Sequence, residues 1–192
     1  PPEIACIEVI KTFFAPNSSN NGFSVIAKPV VVQLGSGATH PFQFLFFFCT
    51  SNNSICSSLI PGIRIGTSAL TTRGFKEDDF ILTYVGRLVE DKGVNELILA
   101  FKEISRFNKS IKLLLLGSFE ETLCPLSSFS IQEIKTNSGI VCTGFVDDIR
   151  PYLRMTKVFV FPTYREGFPN SLLQAALMGI PCITTNINGC NE

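Results

Sequence analysis

The sequence lacks most of the side chains on which metal centres and charge-relay catalysis depend. It contains no tryptophan, two methionines and a single histidine, His40. With one imidazole in the chain, histidine-based metal sites and serine–histidine–aspartate triads are poor interpretations. The seven cysteines are odd in number, widely spread and form no Cys-x-x-Cys pair. A disulfide framework and a structural zinc site are therefore not expected, and a reducing compartment fits better.

An excess of charge of either sign is also missing. Sixteen basic and sixteen acidic side chains give a net charge of zero, which argues against a dedicated binder of nucleic acid or of anionic membranes. The chain does not begin with the basic start and apolar stretch of a signal peptide. Its most apolar run, residues 42–49, is far shorter than the roughly 20 residues of a membrane helix. We therefore expect a soluble, cytoplasmic protein.

Residues 1–72 have very little charge, and this segment differs in composition from the rest of the chain. Its charged side chains number five: Glu3, Glu8, Lys11, Lys28 and Arg64. A folded domain normally carries many more on its surface. Short apolar runs at residues 4–10, 30–34 and 44–48 predict strands. The segment 1–72 is an irregular, unassigned region with three interpretations: a partial or divergent domain, a piece whose partner segment is absent, or incorrect coding sequence.

From residue 73 the pattern becomes regular, and apolar runs alternate with segments of helical spacing. Strands are predicted at residues 81–85, 111–116, 140–143, 158–161 and 181–185. Helices are predicted at residues 94–104, 130–135, 148–154 and 170–178. Continuous apolar strands that alternate with helices indicate a parallel sheet covered on both faces. Residues 73–192 are therefore predicted to form an α/β, Rossmann-like domain.

In such a sheet the ligand crevice lies beyond the carboxyl ends of the strands. This rule selects five loops for closer study, residues 86–92, 117–121, 144–148, 162–170 and 186–191. They are far apart in sequence, but the fold predicts that they meet at one edge of the sheet.

The loop after the first of these strands carries two cations. Arg87 and Lys92 flank the turn between the strand and the next helix. Together with free amide groups at the helix start, they would make a site for phosphate. The alternative is that both are ordinary surface cations, with Lys92 paired to Glu90 or Asp91.

The loop at residues 162–170 joins a strand to a helix start. Pro169 can begin a helix because its φ is preset and it has no amide hydrogen to waste. The amides of Asn170, Ser171 and Leu172 would then point toward an anion. Glu166 precedes this turn, and Gln174 lies one helical turn beyond it. The alternative treats Glu166 as a favourable charge near a helix dipole and Gln174 as a solvated side chain.

Taken together, these stretches resemble a known family. The matching residues are Gly86-Arg87, Lys92-Gly93, Gly144-Phe145, Asp147-Asp148, Phe161-Pro162, Tyr164-Arg165-Glu166-Gly167-Phe168-Pro169-Asn170, Gly179-Ile180-Pro181 and Asn188-Gly189. They are similar to the carboxyl-terminal, donor-binding half of retaining glycosyltransferases of family 4. The resemblance covers residues 75–192 and implies one half of a GT-B fold, in which two Rossmann-like domains face each other.

The resemblance implies a nucleotide-diphosphate-sugar donor as substrate, with no cofactor and no obligatory metal. It assigns the diphosphate to Arg87 and Lys92, and the hydroxyls of the donor sugar to Glu166. The helix-start amides would cap the distal phosphate. The full set of donor-binding residues it implies is Gly86, Gly144, Phe145, Gly167, Phe168, Pro169, Asn170, Ser171, Leu172 and Gln174, with Gly144 and Phe145 bordering the base.

One position departs from the family pattern of two glutamates separated by seven residues. The second of them, which grips the ribose in the family, is Gln174 here. A carboxylate accepts hydrogen bonds from both ribose hydroxyls, whereas an amide offers one acceptor and one donor. We expect the nucleotide to bind more weakly or in an altered way, rather than binding to be lost.

The resemblance implies transfer of a sugar, with retention, to a glycan or lipid-linked acceptor in polysaccharide or lipopolysaccharide biosynthesis. It places the protein in the cytoplasm, at the inner face of the membrane, with peripheral membrane association through a domain that is missing here. Residues 1–72 would then be part of an acceptor-side domain. The alternative is a non-catalytic nucleotide-binding α/β module or an inactive fragment.

Overall fold

The computed structural model of the chain describes residues 44–47, 79–120, 122 and 124–190. The strands predicted at residues 4–10 and 30–34 lie outside the described residues. The strands are β1 (Phe44–Phe47), β2 (Phe80–Val85), β3 (Ile111–Leu116), β4 (Ile140–Gly144), β5 (Val158–Phe161) and β6 (Cys182–Thr185). The helices are α1 (Val94–Phe107), α2 (Ser128–Thr136), α3 (Arg150–Leu153) and α4 (Asn170–Leu177), and a 3₁₀ turn spans Glu90–Lys92.

The described strands form one sheet in the order β1-β6-β5-β2-β3-β4. Strands β2 to β6 are parallel, which confirms the predicted parallel sheet. Strand β1 comes from the low-charge segment and pairs antiparallel with β6, with Phe44 opposite Thr185. The apolar run at residues 44–48 therefore forms a strand as predicted, and it extends the edge of the same sheet.

Helices cover both faces of the sheet because the central strands are apolar on both sides. Leu113 and Leu115 of β3 pack in the larger core cluster, with residues of α1, α2 and α4. Leu114 and Leu116 of the same strand belong to a second cluster, with Ile149 and neighbours from the α3 region. This alternation along one strand explains its continuous apolar sequence, and it confirms the Rossmann-like α/β prediction.

Helix α1 has the spacing that the sequence predicts. Val94, Leu97, Ile98, Phe101 and Ile104 are all buried in the larger core cluster, as expected for an amphipathic helix. The prediction ends this helix at residue 104, and the observed helix continues three residues further, to Phe107. Its end is therefore set by Asn108, which takes an extended conformation.

Helix α3 is shorter than predicted. It spans four residues, with Pro151 in its first turn. The sequence predicts Asp147, just before the helix expected at residues 148–154, as its N-cap. In the structure the neighbouring Asp148 instead accepts the amide hydrogen of Arg150 at 3.0 Å. Asp148 also binds the Arg150 guanidinium, and these hydrogen bonds lower the pKa of the Asp148 carboxyl. The expected cap at Asp147 is wrong because the helix begins later than the sequence indicated.

The strand order reverses between β2 and β5. The chain runs outward from β2 through β3 to β4, then returns to β5 on the other side of β2 and continues to β6. In open parallel sheets a crevice forms at such a switch point, beyond the carboxyl ends of the two strands. Within the described ranges, no helix has the length and apolar character needed to cross a membrane.

Candidate functional site

A cavity of about 220 Å³ lies at the switch point between β2 and β5. The ends of these strands, the two loops that follow them and the first turn of α4 form its walls. The lining residues are Val85, Gly86, Lys92, Phe161, Glu166, Phe168, Pro169, Asn170 and Ser171. Seven of them, all except Val85 and Phe161, were predicted from the sequence as site residues. The structure therefore brings together the two loops that the motifs singled out.

An ion pair joins the two loops inside this cavity. The Lys92 ammonium lies 3.0 Å from a carboxylate oxygen of Glu166, and it also donates to the Arg165 carbonyl at 2.8 Å. The side chains of Lys92 and Glu166 are only 14% and 18% exposed. The alternative pairing of Lys92 with Glu90 or Asp91 is not the one observed.

Two close backbone approaches hold the loops in register. Gly93 has φ of +67°, and a Cβ atom there would lie 2.0 Å from the Pro162 carbonyl oxygen. Gly189 has φ of +88°, and its Cβ would lie 2.7 Å from the Glu166 carbonyl oxygen. Only glycine tolerates both the positive φ and these distances. The loops that carry Lys92 and Glu166 can therefore lie against each other and against the loop after β6.

The turn into α4 differs in detail from the prediction. Pro169 has φ of −82° and ψ of 71°, the geometry of an inverse γ-turn. The Asn170 amide donates to the Phe168 carbonyl at 3.0 Å, so this amide already has an acceptor within the turn. The amides of Ser171 and Leu172 lie in the first helical turn, where the helix itself supplies no carbonyl. The predicted anion site at this turn therefore has two amides available rather than three.

Ser171 has a further role that its sequence position did not reveal. Its hydroxyl donates to the Val85 carbonyl at 3.0 Å, which ties the first turn of α4 to the end of β2. Leu172 is buried, so its side chain anchors the helix in the core while its amide remains at the helix start. The serine and the leucine thus fix the helix start beside the cavity.

Arg87 lies outside the set of residues that line the cavity. Its guanidinium binds Glu120, in the loop after β3, at 2.6 Å, and this hydrogen bond raises the pKa of Arg87. The side chain is 54% exposed. The hydroxyl of the buried Tyr84 donates to the Arg87 carbonyl at 2.8 Å, so the backbone of this turn is held from below. The predicted role of Arg87 at the diphosphate stays a prediction.

Five other predicted residues also lie outside the cavity lining, the buried Leu172 and four that are described next. Gly144 has φ of +75°, and its carbonyl accepts the amide hydrogen of Gly117 at 2.9 Å. Phe145 follows it and is 76% exposed. Gly167 and Gln174 are both exposed. Their predicted contacts with the base, the donor and the ribose remain predictions.

The part of the chain that the structure describes contains no cluster of three or more metal-binding side chains. The expectation of a metal-independent site stays a prediction.

Cys182 and Cys190 are buried, and burial raises the pKa of the Cys182 thiol to about 12. Burial also raises the pKa of Cys190. Both thiols are therefore poor nucleophiles near neutral pH.

Sequence reasoning missed several residues that hold the site together. Glu96, Tyr84 and Glu120 make side-chain contacts to the two loops. A tyrosine inside an otherwise apolar buried strand is a signal for Tyr84, because a buried hydroxyl needs a partner. Glu96 and Glu120 gave no signal, because acidic side chains on a helix or loop are usually solvated.

The parallel sheet and the cavity at its switch point define a Rossmann-like α/β domain. Among solved structures, the chain is similar to Anabaena Alr3699/HepE in complex with UDP and glucose, with a TM-score of 0.54 and 18% identity, over 64% of this chain and 33% of that one. It is also similar to WaaG, described as a glycosyltransferase involved in lipopolysaccharide biosynthesis, with a TM-score of 0.53 and 22% identity, over 67% of this chain and 35% of that one.

A sequence model described as "Glycosyl transferases group 1" matches residues 79–192. The chain belongs to this family, which confirms the resemblance seen in its motifs. It is 40% identical over 112 residues to the capsular polysaccharide biosynthesis glycosyltransferase CapM of Staphylococcus aureus, covering 58% of this chain and 29% of that protein.

A second relative is UDP-Gal:alpha-D-GlcNAc-diphosphoundecaprenol alpha-1,3-galactosyltransferase of Escherichia coli. It is 31% identical over 146 residues, covering 68% of this chain and 34% of that protein. The chain thus spans about a third of the length of these curated relatives.

Proposed function

We propose that this chain is the donor-binding part of a glycosyltransferase that uses a nucleotide-diphosphate sugar. The observation that carries the proposal is the Lys92–Glu166 pair at 3.0 Å, inside a switch-point cavity beside the first turn of α4. An ammonium group and helix-start amides suit a diphosphate. A carboxylate at 3.0 Å from that ammonium suits the hydroxyls of the attached sugar.

The chemistry follows from the charges that develop when the glycosyl–phosphate bond breaks. Negative charge grows on the departing diphosphate, and fixed donors aimed at it stabilise the transition state more than the ground state. An ammonium group has three hydrogen-bond donors, of which Lys92 uses two for Glu166 and Arg165. The third can bind a phosphate oxygen while Glu166 stays in place. Retention of configuration is part of the proposal because the family motifs imply it.

The proposed acceptor is a glycan or a lipid-linked saccharide. Two relatives support this choice by their names, one in capsular polysaccharide biosynthesis and one acting on a diphosphoundecaprenol-linked sugar. The acceptor would meet the donor at the open side of the cavity.

The test is binding of UDP-, GDP- and ADP-sugars to the purified chain, measured by calorimetry and thermal shift. A ligand that binds the folded state at a concentration of 100 Kd stabilises it by about 2.7 kcal/mol. We expect Lys92→Met to weaken binding of the nucleotide and the nucleotide-sugar about tenfold or more, because a charge-assisted contact to phosphate is lost. Glu166→Ala should weaken the nucleotide-sugar more than the free nucleotide.

Lys157→Met is the matched control, since Lys157 is exposed and precedes β5 at the opposite edge of the sheet. Equal losses in the Lys92 and Lys157 variants would contradict the proposed site. Slow donor hydrolysis, lost in Glu166→Ala, would support an enzyme. A chain that binds the donor but never turns it over, even with a supplied amino-terminal half, would instead be a non-catalytic nucleotide-binding module.

A further inference from the structure

A hydrogen bond outside the cavity links the same two loops that form it. The Tyr164 hydroxyl donates to a carboxylate oxygen of Glu96 at 2.7 Å, across 68 positions of sequence. Tyr164 lies two residues before Glu166, and Glu96 lies in the first turn of α1, four residues after Lys92. Neither residue lines the cavity, so neither would touch a ligand there directly.

The backbone around Tyr164 is anchored to the turn before α1. Its amide donates to the Asp91 carbonyl at 3.0 Å, and the next carbonyl, that of Arg165, accepts from Lys92. The Thr163 hydroxyl donates to the same Arg165 carbonyl at 2.9 Å. Among these contacts, the Tyr164–Glu96 hydrogen bond is the one that connects the loop to helix α1 itself, beyond the 3₁₀ turn.

Glu96 depends strongly on this one bond. Its second carboxylate oxygen is buried and, within the part of the chain that the structure describes, has no hydrogen-bond partner. A buried polar group without a partner is costly. If the tyrosine hydroxyl were removed, the first oxygen of Glu96 would lose this donor while the second still lacks one. The carboxylate would then gain hydrogen bonds by moving toward water. Such a movement would separate the helix from the loop and change the distance between Lys92 and Glu166.

We propose that Tyr164 and Glu96 are a positioning pair that sets the geometry of Lys92 and Glu166, and thereby the grip on the sugar end of the donor. The statement about the sugar rests on the function proposed above. The statement about the Lys92–Glu166 pair does not, because the strength of that ion pair can be measured without a ligand. The two can therefore be tested separately.

The ligand test compares UDP with UDP-glucose as probes on the full chain. Tyr164→Phe and Glu96→Leu each remove the hydrogen bond, and we expect each to weaken UDP-glucose about tenfold, as for a hydrogen bond to a charged group. Binding of UDP should change no more than about twofold, because Tyr164 belongs to the loop of Glu166, whereas Lys92 and the amides at the start of α4 still meet the diphosphate. The double variant should be no weaker than either single variant.

Two controls separate positioning from loss of structure. Glu96→Gln keeps an oxygen acceptor for the tyrosine and should bind UDP-glucose like the wild type. Ile134→Val lowers stability in the core at helix α2, away from the cavity, and should leave both affinities unchanged. A general loss of folded protein would lower the affinities for UDP and UDP-glucose equally. That result would overturn the proposal that the pair positions the residues that bind the sugar.

The ligand-free test measures the coupling between Lys92 and Glu166 by denaturation of Lys92→Met, Glu166→Gln and their combination, in the wild-type and Tyr164→Phe backgrounds. We expect the coupling to fall by at least half in Tyr164→Phe. Unchanged coupling would overturn the proposal. If the wild type binds none of the nucleotide-sugars while the coupling still falls, the positioning pair stands and the proposed function fails.

Discussion

At the scale of single residues, the site depends on which partner a side chain finds across the sequence. Lys92 follows Glu90 and Asp91 directly, yet its ammonium binds Glu166 and the Arg165 carbonyl. The short 3₁₀ turn directs these neighbours elsewhere. Glu90 is exposed, and a carboxylate oxygen of Asp91 lies 3.7 Å from the Arg165 guanidinium. Local acidity therefore does not decide the pairing of this lysine.

Gly93 supports this pairing, and its substitution is a prediction at the same scale. Gly93→Ala places a methyl group where the Pro162 carbonyl oxygen lies 2.0 Å away, in a backbone with φ of +67°. We expect a loss of about 2–4 kcal/mol in the free energy of unfolding, from the left-handed conformation together with the clash. Urea denaturation measures this loss, and the nucleotide-sugar affinity should fall with it.

Gly144→Ala is the matched control for the clash. Gly144 has a similar φ of +75°, but a Cβ atom there meets nothing within 4 Å. This variant should cost only the conformational penalty, about 1–2 kcal/mol. Equal losses in the two alanine variants would mean that the contact between Gly93 and Pro162 does not constrain the loops.

At the scale of elements, helix α4 has a start that is fixed from two sides. Leu172 and Ala175 bury its inner face in the larger core cluster, and Ser171 ties its first turn to the Val85 carbonyl. The helix spans eight residues, which is short for a stable helix on its own. The direction of its amino end toward the cavity is therefore a property of these tertiary contacts.

Ser171→Ala tests the tether between α4 and β2. We expect the free energy of unfolding to fall by about 1 kcal/mol, the usual net value of a hydrogen bond. Donor affinity should also weaken, because the amides at the helix start lose their fixed direction. Ser128→Ala is the control, since Ser128 is an exposed serine in the first turn of α2. If both serine variants behave alike, the tether has no role in the site.

At the scale of the whole molecule, the sheet is buried deeply enough to change the ionisation of its own side chains. Burial raises the pKa of Tyr84 far above its ordinary value, with smaller contributions from Asp91 and Glu166. Burial alone raises the pKa of Cys182, in β6, to about 12. These groups stay protonated in the folded chain at a pH where the unfolded chain has released their protons.

The stability of the molecule should consequently decline in alkaline solution. For Cys182, whose folded pKa is raised, the contribution to stability is complete below pH 9 and is lost as pH rises toward 12. Each such group adds a slope of about 1.4 kcal/mol per pH unit in that window. Denaturation from pH 8 to 11 measures the slope, which Cys182→Ala should reduce. Cys124→Ala, at an exposed thiol, should leave it unchanged.

Regular elements could be predicted from the sequence because their physical causes are local. The run at residues 111–116 is apolar except for Lys112, and it forms β3 with the predicted bounds. The spacing of Val94, Leu97 and Phe101 places them on one face of a helix, whatever lies opposite. The loops at the carboxyl ends of parallel strands share one edge by topology, so the sequence alone indicated that Lys92 and Glu166 belong to one site.

Contacts between distant side chains could only be decided by the tertiary structure. Three such contacts are the hydrogen bonds from Tyr164 to Glu96, from Ser171 to the Val85 carbonyl and from Arg87 to Glu120. Each forms only if its two atoms are placed to within a few tenths of an ångström. No periodicity in the sequence predicts such positions, because they depend on how the strands, helices and closely packed glycines pack against one another. The sequence by itself determined the class of fold and the loops that form the site. Packing decided which side chains in those loops touch.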